Sequence, residues 1–201
     1  MGVFYVTSST SVPVSSYDEP GDFVVTYTGE VEYHDENDQV SKAGEYSLYR
    51  VLGGLAADHG EDLFDVFDAH SQGLHDIYCA VFDPKSRDWN KDVADKFCCD
   101  EMDLMVIDSL WLDPKWRGLR LGLLALRRLI DLHVAGCGLV VCHPYPLERN
   151  DTPEQVRLGT IKLRRYVRQM GFRRIGKTPY YGLSTSQVTP KIEDLLHERT
   201  G

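Results

Sequence analysis

The run Leu110-Trp111-Leu112-Asp113-Pro114-Lys115-Trp116-Arg117-Gly118-Leu119-Arg120-Leu121-Gly122 carries an apolar strand through a short turn and directly into a helix. Such a junction binds anions. The first N–H groups of a helix have no partner within the helix, and the positive end of its dipole points the same way. Gly118 and Gly122 remove side chains at the turn, so a pyrophosphate can approach the backbone itself.

From 104 to 176, about a third of the chain, the sequence resembles the acetyl-CoA-binding core of the GNAT superfamily of N-acyltransferases. The phosphate loop of that family runs Gln/Arg-x-x-Gly-x-Gly/Ala after a strand, and Arg117-Gly118-Leu119-Arg120-Leu121-Gly122 matches it at Arg117 and Gly122. Leu139-Val140-Val141-Cys142-His143 is similar to the next strand, and Gly171-Phe172 to the Gly-Phe pair that closes the last helix. Two positions depart from the pattern. Arg120 stands where the family has the first glycine of its loop, and Val167 stands where a tyrosine is usual, with Tyr166 as its neighbour. A helical wheel sets Arg120 on a face with Arg127, Arg128 and Asp131, towards solvent.

The resemblance implies acetyl-CoA as co-substrate, held by Leu110, Trp111, Leu112, Arg117, Gly118, Leu119, Arg120, Leu121 and Gly122. It also implies direct transfer to a primary amine of a small molecule or peptide, without a metal. In the family, pantetheine lies in a gap between two parallel strands and pairs with a free strand edge. Pro144 and Pro146 follow the 139–143 strand and cannot donate to a ladder, so the gap is expected there, with 110–112 as the free edge.

Attack of an amine on a thioester needs a base for the amine, donors for the developing oxyanion and a proton for the departing thiolate. Where the family often has a carboxylate the chain has Val106, but Asp108 lies two residues on. Strict strand alternation puts Asp108 on the same face as Leu110 and Leu112. His143 is the second candidate base, since an imidazole titrates near neutrality. Tyr166 is the candidate acid, with Tyr180 and Tyr181 in reserve; Trp111 and Trp116 read as packing residues. Each of these also has a purely structural reading, as a cap, an edge histidine or an aromatic at the core margin. A CoA-binding regulatory or scaffold module of the same fold is the alternative, and acylation of a charged tRNA a further one.

Composition fits one domain: 201 residues, 42% hydrophobic and 26% charged, can enclose a single core. Residues 1–21 are rich in Ser, Thr, Val and Pro and read as a flexible arm with a short strand near its start. Residues 22–201 form one domain, divided into an acceptor-side half (22–103) and a cofactor-binding core (104–190). No signal peptide or membrane anchor is expected. Five cysteines without a secretion signal suggest reduced thiols and a cytoplasmic setting. His133, Cys137, Cys142 and His143 match no familiar zinc spacing.

Net charge is −9, but 1–112 hold 23 acidic and 6 basic residues and 113–201 hold 8 and 16, or −17 against +8. From 155 to 192 there is no acid at all. This division suits a phosphorylated cofactor on the C-terminal half and a cationic amine on the N-terminal half, although charge runs are often only solvated surface. Overall acidity argues against nucleic acid as a partner. A homodimer is left open.

Periodicity predicts strands over 22–32 and 40–51, the second kinked at Ala43-Gly44, and helical spacing over 61–67 and 74–82. A weaker helix over 88–97 follows. Then come a strand over 104–112, a helix over 119–134, a strand over 139–143 and a helix over 153–170 opened by a Thr152, Pro153, Gln155 capping box. Gly159 is expected to weaken or break that helix. Short strands near 172–175 and 180–183 and an exposed helix from 191 finish the chain. The fold class is therefore α+β or α/β: a mixed, mostly antiparallel GNAT-like sheet, with a parallel strand pair splayed around the cofactor and helices flanking it.

Overall fold

A computed structural model describes residues 2–12, 17–148, 152–187 and 189–197, with the side chains of 196 and 197 excepted. The 22–32 and 40–51 periodicities become β3 (Val24–His34) and β4 (Val40–Val51), joined by the turn that the acidic 35–38 segment makes. Val31 pairs with Gly44 but Glu32 with Lys42, so the Ala43-Gly44 kink is a β-bulge with Ala43 as the extra residue. Two parts of the N-terminal arm, β1 (Val3–Val6) and β2 (Ser9–Ser11), add to the outer side of β3 and are sheet rather than loose chain.

Four short helices follow: α1 (Gly53–Asp58), α2 (Leu63–His70), α3 (Gln72–Val81) and α4 (Lys91–Phe97). The side chains of Asp62, Ser71 and Asn90 accept from the first-turn amides of α2, α3 and α4, which is why each helix begins where it does. The chain then runs β5 (Asp103–Leu112), α5 (Leu121–His133), β6 (Cys137–Cys142), α6 (Pro153–Gln169), β7 (Arg173–Arg174), β8 (Tyr181–Ser184) and α7 (Ile192–His197).

The sheet order is β1-β3-β4-β5-β6-β8-β7, with β2 also on β3; β5 and β6 are parallel and every other pair is antiparallel. Alternation along β5 and β6 sends Leu104, Val106, Leu139 and Val141 to one face, under Val66, Phe67, Leu74, Tyr78 and Phe97 of α2, α3 and α4. Met105, Ile107, Val140 and Cys142 go to the other, under Leu123, Leu126, Leu129, Val167 and Met170 of α5 and α6. The protein is thus a mixed α/β fold with a mostly antiparallel sheet and one parallel pair.

Three local expectations are corrected. The capping box of α6 is present, but the helix runs unbroken through Gly159. A Cβ at that position would lie 2.7 Å from Pro146 Cγ, so the glycine lets α6 sit against the segment that follows β6. The C-terminal helix is not simply exposed, because Leu195 is buried and its carbonyl accepts from Arg120 Nη1 at 2.6 Å. Arg120 therefore turns towards α7, not freely to solvent.

Candidate functional site

Parallel pairing of β5 with β6 ends at Ile107 and Cys142. Beyond that pair β5 continues to Leu112, bonded only to β4, while β6 gives way to His143 and Pro144. The prolines do what their chemistry dictates, and one edge of residues 108–112 is left without a strand. Asp113 N–H donates to Ala43 O on the β4 side, so alternation turns the N–H and C=O groups of Leu110 and Leu112 to the open edge. The backbone of Trp111 faces β4 instead. Of the three edge residues expected to meet a cofactor, two present their backbone.

The free edge leads to the N-terminus of α5. Arg120 caps this helix with φ 59° and ψ 7°, a left-handed conformation that glycine adopts at less cost. That geometry explains why a glycine would suit position 120, and here the arginine accepts the strain. Gly118 is also left-handed, at φ 81°, with open space where a Cβ would go. Among the described residues, the amides of Leu119, Leu121 and Gly122 meet no acceptor, as first-turn amides of a helix commonly do.

Arg117 turns back towards β5. Its Nε donates to Leu112 O at 2.8 Å, Nη2 pairs with Glu148 Oε1 at 2.6 Å, and the guanidinium lies 5.9 Å from the Trp111 ring centre. It folds back onto the strand edge, and the ion pair ties the loop to the segment following β6. A Cβ at Gly122 would stand 3.1 Å from Tyr166 Oη and 3.4 Å from Leu112 Cδ1, so this glycine makes room for Tyr166.

Tyr166 reaches this junction because α6 buries the adjacent Val167 in the core and sends the phenol across to α5, where Leu123 N–H donates to Tyr166 Oη at 2.8 Å. Burial pushes the Tyr166 hydroxyl above the usual tyrosine range, which keeps it protonated. Val106, like Val167, is buried in the core.

Asp108 is corrected more sharply. Ser47 pairs with Ser109 but Leu48 with Ile107, which leaves Asp108 as the extra residue of a bulge. One inserted residue shifts the alternation by one. Leu110 and Leu112 pack towards α5, whereas Asp108 meets Tyr49 and His70 on the opposite face. Burial, and after it the nearby Asp108 charge, raises the Tyr49 hydroxyl above its ordinary range, and the Tyr49 and His70 ring centres are 4.6 Å apart. His70 Nδ1 is buried and, among the described residues, has no partner; burial holds this imidazole below its ordinary value.

Asp108 and His143 are each the first residue past the last parallel pair, one on β5 and one following β6. The His143 ring lies 5.4 Å from that of Tyr180 and 5.5 Å from that of Tyr145, and burial, helped by the Arg164 charge, lowers its pKa. Tyr181 is buried and its hydroxyl accepts from Arg168 at 3.3 Å, so it is committed elsewhere. Trp116 packs on Phe4 and Tyr33 with ring-centre distances of 5.2 and 4.7 Å, as a packing residue should.

The structure therefore brings Asp108 and His143 to the two walls of the gap and Tyr166 to the far end of its free edge, on the opposite sheet face from Asp108. Tyr49, His70 and Glu148 were missed by sequence reasoning. Tyr49 is marked only by its alternation on β4, and His70 and Glu148 by nothing local. Among the described residues no group of three or more His, Cys, Asp or Glu converges as metal ligands. No helix is long and apolar enough to cross a membrane. Compared with known proteins, the chain matches no family model, no curated protein and no solved structure.

Proposed function

We propose that this chain is an acetyl-CoA-dependent N-acetyltransferase of the GNAT type, transferring the acetyl group directly to a primary amine. The observation that carries the reading is the parting of β5 from β6 after Ile107 and Cys142, beside first-turn amides of α5 that meet no acceptor among the described residues. A strand edge and an anion cradle in continuity suit a ligand that is part amide chain and part pyrophosphate.

In this reading the amides of Leu119, Leu121 and Gly122 take the pyrophosphate, and Leu110 and Leu112 hold the pantetheine arm along the edge. An outward N–H of the same edge stabilises the negative charge that develops on the thioester oxygen. As the amide bond forms and the carbon–sulfur bond breaks, the amine gives up a proton and the sulfur needs one. In this reading Asp108 or His143 accepts the first. Tyr166, kept protonated by burial on the α5 face, supplies the second. The amine enters from the face of α2 and α3, where Asp65, Asp68 and Asp76 are exposed. A cationic acceptor fits that charge, and its KM should rise with added salt.

Calorimetric titration with acetyl-CoA, CoA and longer acyl-CoAs, followed by CoA release on a panel of amines, tests the reading. Heat of binding and release with at least one cationic amine is expected; no heat with any of the three ligands refutes it. A CoA-binding module without chemistry is the second reading, favoured by the buried Val106 and Val167 and by the Arg117 contact on Leu112 O. Binding without release on any amine would decide for it.

A further inference from the structure

A second charged feature begins where α4, the end of α6 and β7 meet, and runs along α6 to His143 beside the gap. Lys96, Arg168, Arg173 and Arg174 line an open cleft of about 590 Å³ with Gly171, Phe172 and Gln187. Among the described residues none of these four cations pairs with a carboxylate. They are held by neutral acceptors instead. Arg173 Nη2 donates to Lys96 O at 2.9 Å while Lys96 Nζ donates back to Arg174 O, and Arg174 donates to the carbonyls of Lys177 and Thr178, at 2.8 Å each.

Carbonyl bonds orient a guanidinium without neutralising it, so each fork keeps free N–H groups at full charge. Gathering like charges in this way costs stability, and burial together with Arg173 lowers the Lys96 pKa as that cost implies. The acid-free stretch from 155 to 192 supplies no carboxylate to neutralise the cluster.

The charge continues along α6. Arg157, Arg164 and Arg168 fall at i, i+7 and i+11 on one face, a track of about 16 Å at the helical rise, with Arg165 beside it. Arg157 and Arg164 line a second cleft of about 520 Å³ with His143, Tyr145 and Pro179. Arg164 Nε is buried there and, among the described residues, has no acceptor. Tyr145 is 47% exposed at that end, presenting a ring on which a base can stack.

We propose that this face of α6, from the Tyr145 cleft to the Lys96, Arg168, Arg173 and Arg174 cleft, binds a phosphodiester strand of single-stranded nucleic acid. A row of cations about 16 Å long favours an extended strand over a compact anion, and an exposed aromatic at one end favours bases over an acidic peptide. The −9 net charge restricts binding to this face and makes it strongly salt-dependent. The inference does not depend on acyl transfer.

The test is fluorescence anisotropy of a labelled 12-nucleotide RNA, and of the DNA of the same sequence, with the full chain. Four phosphate contacts predict a log–log salt slope near about −3, so binding weakens about 50-fold between about 50 and 200 mM salt. Arg165→Glu with Arg168→Gln should weaken binding at least about tenfold and flatten the slope by more than about 1, with an unchanged unfolding midpoint. Equal affinity for RNA and DNA supports recognition of the shared backbone, and a preference for RNA adds a 2′-hydroxyl contact. No binding at about 50 mM salt, or binding unaffected by the double variant, overturns the proposal. So does competition by inorganic triphosphate or polyglutamate as strong as that of unlabelled oligonucleotide.

Discussion

Replacing Tyr166 by phenylalanine removes one oxygen and leaves the ring and its packing in place. That oxygen accepts from Leu123 N–H at 2.8 Å, but the same amide also donates to Arg120 O at 2.9 Å. The amide is therefore not orphaned, and the cost to folding is that of an ordinary hydrogen bond, about 0.5–1.5 kcal/mol. If Tyr166 protonates the departing thiolate, the kinetic cost is much larger: kcat should fall by about 10²- to 10⁴-fold, or roughly 3–5 kcal/mol of barrier. CoA affinity should hold, because the cradle amides are untouched. Burial raises the Tyr166 pKa above the usual value near 10, so the alkaline limb of wild-type kcat should lie above about pH 10 and vanish in the variant. Urea unfolding, CoA titration and a pH profile of CoA release on the best amine separate these effects. A kcat within about threefold of wild type would refute the role of Tyr166 and return the proton to water or Tyr180.

Gly159→Leu should destabilise the fold by about 1–3 kcal/mol in urea unfolding, since its Cβ would meet Pro146 Cγ at 2.7 Å and outweigh the roughly 1 kcal/mol of helix propensity gained. His143 is held below its ordinary pKa, so the acidic limb of its activity should lie below about pH 6.5; Arg164→Gln removes a positive neighbour and should move that limb to higher pH. His70, His133 and His143 all have lowered pKa values, so folding favours their neutral rings, and this stability is fully present above the unfolded value of about pH 6.5 and lost as pH falls from there through the lower folded values. Urea midpoints that do not decline between pH 7 and pH 5 would contradict it. The thiols should divide by burial. Cys79 and Cys98 are exposed and should react rapidly with an aromatic disulfide, whereas Cys137, with its pKa pushed up to about 11, and the buried Cys142 should react only on unfolding.

Much of the fold was legible because its signals are local. Thr152, Pro153 and Gln155 announce the start of α6 through bonds within one turn, and β3, β4, β5 and β6 declare themselves by apolar periodicity. Pro144 and Pro146 foretell the end of the β5–β6 ladder for the same reason, since a residue without an N–H cannot pair wherever it lies. The helix α1, with six residues beginning at two glycines, has no such signal and went unseen.

The site shows where local reasoning stops. Sequence alone determined that an apolar strand enters a glycine-bearing turn and a helix, and that the strand beside it must end in prolines; these follow from the covalent chemistry of single residues. Only the tertiary structure decided which face each side chain takes. The bulge at Asp108 exists because β4 and β5 pair with unequal lengths, and that one-residue mismatch moves a carboxylate from the α5 face to the side of Tyr49 and His70. Arg117 on Leu112 O, Glu148 beyond it, and Tyr166 beside Gly122 are contacts between segments far apart in the chain. Periodicity reports one element at a time, whereas register and the reach of a side chain depend on how two elements meet.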